Sequence, residues 1–271
     1  MSLRIQTNIE AFDAHRNLLN TQNQLASSMQ KLSSGFRINK AADDAAGLAI
    51  SEKLQAQIGG LGQAQRNAQD AVNLVQTGEG ALAEVQSMLQ RVRDLAVQFN
   101  NGTLASTDQA AITAEVAQLC AEISDIGTQT TFNGISLLNG TGSITFQVGA
   151  NDGETLNVST VALFGSGTSV EINSSVFAFS GTVSLASIDS AIQNVSSARS
   201  TFGSVQNRLD HRLNNLATYQ ENLTASESGI KDVDMASEMV NFTKLQILNQ
   251  AGTAMLAQAN SAPQSVLTLL R

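Results

Sequence analysis

Cysteine, proline and tryptophan are almost or wholly missing from this chain. Its 271 residues include one Cys, one Pro and no Trp, with 4% aromatic and 14% charged residues. A single Cys forms no intrachain disulfide and builds no cysteine-rich zinc site, and two distant histidines, His15 and His211, make a poor metal set. No cofactor is expected. Ordinary soluble domains are about 25% charged, so the polarity here comes from elsewhere: Ser 29, Thr 21, Asn 22 and Gln 24, or 96 uncharged polar residues. A net charge of −8 with a pI near 4.7 argues against nucleic-acid or anionic-membrane surfaces, which attract through Lys/Arg patches. No window holds the 18 or more apolar residues of a membrane span, so no membrane insertion is expected. The segment Met1–Glu10 lacks the apolar core of a signal peptide, so export would proceed without a cleavable signal.

With proline absent before Pro263, long helices go unbroken. Val75, Leu82, Leu89 and Ala96 recur every seven residues, with Val85, Val92 and Phe99 interleaved at the a/d offset of a helical seam roughly 37 Å long. Ile112, Val116, Leu119, Ile123 and Ile126 define one face of a second helix. The longest comb is Ile188, Val195, Phe202, Leu209, Leu216, Leu223 and Ile230, a rod of roughly 65 Å. So narrow a stripe is marginal alone, and its partner is another helix of the chain or another subunit. Two weaker patterns lie at the ends. Leu18, Leu25 and Leu32, with Met29 and Phe36, mark an N-terminal amphipathic helix; Val240, Ile247 and Ala254, with Leu248 and Met255, mark a C-terminal one. Such polar-rich helices are expected to order when partners complete the seam.

Residues 143–181 lose the seven-residue period. Ile144, Phe146 and Val148, a Gly149–Gly153 turn, then Leu156 and Val158 predict a β-hairpin, with further short strands around Val170, Ile172, Val176 and Phe179. The fold class is therefore mainly α, with long antiparallel coiled rods from the two halves of the chain and a small β-hairpin region between them.

Catalytic constellations are missing: there is no His-Glu-x-x-His, P-loop or Gly-x-Ser-x-Gly elbow. Gly59-Gly-Leu-Gly62 follows a helical pattern rather than a strand and is read as a helix irregularity or loop. Asp43-Asp44 and Asp232/Asp234 are read as carboxylates of helix first turns. Cys120 is expected to be a small buried hydrophobe, and His211 a packed or boundary residue of the 188–230 rod. The chain is not expected to be an enzyme.

Several motifs, in order, resemble bacterial flagellin: Lys31-Leu-Ser-Ser-Gly-Phe-Arg-Ile-Asn39, Asp43-Asp-Ala-Ala-Gly-Leu-Ala-Ile50, Leu89-Gln-Arg-Val-Arg-Asp-Leu-Ala-Val-Gln98, Thr131-Phe-Asn-Gly134 and Gln147-Val-Gly-Ala-Asn-Asp-Gly-Glu154. Near the end, Gln246-Ile-Leu-Asn-Gln-Ala-Gly252, Leu256-Ala-Gln-Ala-Asn260 and Val266-Leu-Thr-Leu-Leu-Arg271 complete the pattern. The resemblance implies a structural subunit that self-assembles into the flagellar filament. Residues 1–46 with 231–271 would form the filament's inner core, 47–142 with 182–230 a helical rod, and 143–181 a small region in place of variable outer domains. It also implies a homopolymer, type III export to an extracellular flagellum, and a chaperone on the C-terminal segment. Hook-associated and cap proteins would be further partners, and hairpin 143–158 would take part in supercoil switching. Assembly seams would run along Leu18, Leu25, Leu32, Val240, Ile247, Ala254, Leu269 and Leu270.

In flagellins sensed by a host Toll-like receptor, an Arg and a Leu of the motif at 89–96 and a Glu on the next helix touch the receptor. The matching positions here are Gln90, Arg91, Leu95 and Glu115, with Asp94 standing where Glu is commoner. Two other readings compete with a filament flagellin. A hook–filament junction protein would share the terminal seams but lack the 89–98 and 147–154 motifs. A secreted adhesin or enzyme would carry its activity in the middle, where 143–181 offers only Asp152, Glu154 and Glu171. Ser/Thr density in 159–187 is compatible with O-glycosylation.

Overall fold

The computed structural model describes residues 8–140, 142–163, 179 and 183–269, with 263–269 described by their helix alone. The elements run α1 (Ile9–Ser34), α2 (Ala45–Phe99), α3 (Ser106–Gln129), β1 (Thr131–Phe132), β2 (Ile135–Ser136), β3 (Ser143–Gln147), β4 (Thr155–Ser159), α4 (Leu185–Lys231) and α5 (Met235–Leu269). The chain divides into two units, Met1–Ala56 with Asn222–Arg271, and Gln57–Glu221. Helices α2 and α4 contribute to both.

In the larger unit the apolar seams of α2 and α4 are buried, and that of α3 is buried but for the partly covered Leu119 and Ile126. Val75, Leu82, Leu89, Ala96, Val85, Val92 and Phe99 of α2 are covered, as are Ile188, Val195, Phe202, Leu209 and Leu216 of α4. The two helices run antiparallel, as two bridges fix: Arg93 Nε lies 2.6 Å from Asp189 Oδ1, and Arg199 Nε 3.0 Å from Glu79 Oε1. Arg199 Nη1 also donates to Gln86 Oε1 at 2.7 Å. Helix α3 returns along α2 and buries Ile112, Val116 and Ile123. Phe202 presses onto the α2 backbone at Gly78, where an added Cβ would stand 2.9 Å from the ring. The long comb therefore finds its partner within the chain, although burial fades to partial at Leu223 and Ile230.

The β elements pack against the core of this bundle. Asn133 and Gly134 both have positive φ, 50° and 78°, as a two-residue hairpin turn requires, and they join β1 to β2. Strands β3 and β4 pair antiparallel, with Ile144 opposite Val158 and Phe146 opposite Leu156, so one face carries the apolar residues. That face joins the core through Val148 and Val158. Polar clamps hold the hairpin: Asn67 Nδ2 donates to Gln147 O at 2.9 Å and Arg212 Nε to Val148 O at 3.1 Å. The expected strand residues Val170, Ile172 and Val176 lie outside the described residues. Phe179 is buried and meets Phe99 edge-on with centroids 5.3 Å apart.

In the smaller unit α1 and α5 pair antiparallel. Asn8 Nδ2 donates to Ala259 O at 2.7 Å at one end, and the buried Ser28 hydroxyl donates to Glu238 at the other. Gly35, at φ 75°, ends α1 and returns its N–H to Lys31 O at 2.9 Å. Beyond it, Arg37 N donates to Lys231 O (2.7 Å) and Val233 N to Gly35 O (3.0 Å), which ties the two interhelix connections together. Lys231 Nζ sits 4.7 Å from the Phe36 ring centroid.

Candidate assembly interface

The acidic pairs stand outside the first turns expected for them: Asp44 and Asp234 cap the starts of α2 and α5, Asp43 precedes α2, and Asp232 follows the end of α4 and accepts from the Ser228 hydroxyl at 2.6 Å. Asp44 accepts from Gly47 N at 2.9 Å at the start of α2, and Asp234 from Ala236 N and Ser237 N at the start of α5. Asp43 sits just before α2 and accepts from Asn39 N and Lys40 N, both at 3.0 Å; these bonds hold its carboxyl below the usual range. No cluster of three metal-binding side chains occurs among the described residues. Gly59–Gly62 lies within unbroken α2, neither loop nor irregularity, and Gly60 is where the β3–β4 hairpin comes closest: a Cβ there would stand 3.1 Å from Ala150 Cβ. Cys120 is half-buried beside the α2–α3 core, and burial pushes its thiol up to about 12, so it stays protonated and a poor nucleophile. His211 is exposed, not packed, because it falls two residues past the buried Leu209 and so turns away from the seam.

The chemistry of this molecule lies in its surfaces, and the α1/α5 pair has two. The inner seam of α1 is Ala11, Ala14, Leu18, Thr21, Leu25, Ser28 and Leu32. Leu18, Leu25 and Leu32 thus face α5, but their companions are small residues. Met29 is 55% exposed, and Phe36 lies beyond the Gly35 cap, outside the helix. On α5 the inner row is Phe242, Leu245, Asn249, Gly252, Leu256 and Ala259. Gly252 lets Leu18 approach, for an added Cβ would lie 3.2 Å from Leu18 Cδ1. Val240 (72% exposed), Ile247 (61%) and Ala254 are on the opposite face, with Leu248 and Met255. Within the chain they seal nothing. Counting apolar residues selects this greasier row; the inner row carries an Asn and a Gly, and small size rather than hydrophobicity is what admits the partner helix. Leu269 ends α5 with its side chain outside the description, and Leu270 lies outside the described residues.

On the larger unit, Arg91 and Glu115 meet each other, Nη2 to Oε1 at 2.7 Å and Nε to the same oxygen at 2.9 Å, joining α2 to α3 in the open. Gln90 is exposed beside them. Leu95 is only 2% exposed, in the core with Val116 and Ile188, so it supports this face from beneath and presents no contact side chain. Its place on the seam side of α2, one residue before Ala96, accounts for the difference.

Comparison with known proteins fits a helical chain of this plan. The profile of the bacterial flagellin N-terminal helical region matches residues 5–143, and that of the C-terminal helical region matches 185–270. A flagellin from Halalkalibacterium halodurans is 51% identical over 270 residues, covering 98% of this chain and 99% of the relative. This chain belongs to the bacterial flagellin family. A flagellar filament 33 kDa core protein from Treponema phagedenis is 42% identical over 288 residues, with 98% and 99% coverage. Among solved structures, a proposed flagellar hook-associated protein from Vibrio parahaemolyticus shares the fold, with a TM-score of 0.61 at 17% identity over 70% of this chain and all of that one. The flagellin is thus a structural filament subunit of short form. No helix among its described residues is long and apolar enough to cross a membrane.

Proposed function

We propose that this flagellin polymerises through the outer face of its α1/α5 pair, which becomes buried between subunits as the inner wall of an extracellular filament. The observation carrying this reading is the row of exposed apolar residues on a unit of zero net charge: Ile9, Phe12, Leu19, Met29, Met239, Val240, Ile247, Leu248 and Met255 are 46–72% exposed. An isolated soluble subunit gains nothing from such a face. A repeated, non-closing contact through it generates an open helical polymer. The export chaperone, hook-associated proteins and cap protein would engage the same terminal segments before or at the ends of the polymer. Travel through the type III channel without a cleavable signal completes the route. The 143–181 segment stands where larger flagellins carry outer domains, and the 143–158 hairpin would adjust between filament packings. Gln90, Arg91 and Glu115 form the candidate patch for a host Toll-like receptor; unchanged receptor signalling by an Arg91→Ala monomer would remove that role.

The polymerisation reading is tested by Val240→Asp with Ile247→Asp, which spare the inner seam, and by deletion of 240–271. Monomers keep the larger unit's helical signal by circular dichroism yet form no filaments on seeds. Filaments of normal yield from the double variant would overturn it.

A further inference from the structure

A cleft of about 590 Å³ opens between the β3–β4 hairpin and α4, entirely within the larger unit. Arg208, His211, Arg212 and Asn215 line it from the helix, and Gly153, Glu154 and Thr155 are among the hairpin residues facing them. The charges around it are unusual for this unit. Residues 57–221 contain fourteen Asp and Glu, six Arg and no Lys. Four of the arginines are occupied by side chains: Arg91 by Glu115, Arg93 by Asp189, Arg199 by Glu79 and Gln86, and Arg66 by Gln63. Arg212 spends its Nε on Val148 O. Arg208 is exposed and makes no hydrogen bond or ion pair among the described residues. Glu154, the one carboxylate on the cleft wall, turns back to its own hairpin turn and accepts from Asn151 N at 3.1 Å.

We infer that this cleft receives a carboxylate side chain from the 57–221 unit of a neighbouring copy. The inference rests on the filament reading, because only a polymer sets identical acidic units side by side. An acidic unit that repels its copies needs a matched contact somewhere, and the cleft sets Arg208 and Arg212 together with no carboxylate among the described residues in an ion pair with either. The exposed Asn215 amide adds a donor of the kind a carboxylate accepts. A second copy suits the cleft because the acid surplus and the vacant arginine belong to the same unit, so each subunit offers both halves of the contact and the contact propagates.

Two measurements decide it. In seeded growth, Arg208→Glu raises the critical concentration about threefold to tenfold, less so in high salt, while Arg66→Glu, the same charge change outside the cleft, leaves it near the wild-type value. In assembled filaments, Arg208→Lys places the sole lysine of residues 57–221, and a zero-length carbodiimide then yields a ladder of covalent multimers linked through position 208, a linkage the wild-type arginine does not form. Mass spectrometry locates the isopeptide bond on an Asp or Glu of 57–221 in another chain. Equal effects of the two Glu substitutions, no ladder, or a bond to Glu154 of the same chain or to a terminal-unit carboxylate would each overturn the cleft contact. Wild-type growth on the same seeds reports the filament reading separately: Arg208→Glu growing normally sinks the cleft alone, whereas failure of wild type sinks both.

Discussion

The two units of this flagellin differ in where they put their charge and their oil. Residues 57–221 carry the whole net charge of −8, while the remaining 106 residues carry nine acids and nine bases. Burial is divided the other way. Of the buried hydrophobic residues, all but Ile38 and Leu245 belong to the larger unit, whereas Val97, Ile135 and Tyr219 are its only exposed large ones among the described residues. Twelve others, from Ile9 to Met255, stand exposed on the terminal unit. One region is a covered core with a surplus of negative charge; the other is neutral and half-covered, the state expected of a surface that copies share. A subunit assembled from solution needs both, since a protein neutral and oily throughout would aggregate without order.

The widest gap between the units should show in core truncations. Leu82 is fully covered between α2 and its partners, so Leu82→Ala removes its contacts and leaves a cavity, costing about 2–5 kcal/mol. Leu245 is as covered as any α5 residue, yet one side of its helix is open to water. Leu245→Ala in the monomer should cost less than half as much. Urea unfolding followed by circular dichroism checks both, and equal losses would erase the distinction between a finished and an unfinished core.

How far the sequence alone reached follows the same division. In the larger unit the seven-residue combs at 75–99 and 188–216 located the core, because large apolar residues there are buried on regular helices and nothing but helices competes for them. The alternation at 144–158 located the β3–β4 hairpin, whereas the shorter β1–β2 ladder, only two residues a side, left no alternation to find. The terminal helices were legible as amphipathic but their inner face on α5 was not. Its residues include Asn249 and Gly252, chosen for fit, and the apolar row that the eye selects faces outward. Leu95 and His211 failed for a related reason: each lies one or two residues from a seam position, and a helix turns about 100° per residue, so a small offset exchanges core for solvent. The cleft at Arg208 gave no signal, since it is assembled from residues more than fifty apart and its meaning depends on which other arginines are already paired.

Glycine substitutions probe the same contrast more finely. An alanine at Gly78 would push its Cβ to 2.9 Å from the Phe202 ring, in a core with no room to give, and overpacking of about 1–3 kcal/mol should outweigh the roughly 1 kcal/mol that alanine gains in a helix. An alanine at Gly252 meets only the end of the flexible Leu18 side chain at 3.2 Å, beside a partly open seam. There the helix gain should win by about 0.5 kcal/mol. Thermal melts of the two variants should therefore move in opposite directions; a shared direction would mean that the two helix pairs are packed alike.

The smallest effect concerns the joint that leads into α2. The Asp43 carboxylate is exposed and accepts the N–H groups of Asn39 and Lys40, which lowers its pKa below the ordinary 3.8, with Lys31 and Lys40 adding to the shift. A depressed carboxylate stabilises the fold fully above its unfolded value, and that contribution disappears as pH falls through the lower folded value. Amide protection at residues 39 and 40 should thus be flat from neutrality down to about pH 4 and decline below it, while amides in the middle of α2 hold. Asp43→Ala should abolish that dependence at the two amides without touching the larger unit. Protection that rose on acidification would show that the carboxylate does not clamp this loop, and would leave the first connection held chiefly by the bonds of Arg37 and Val233.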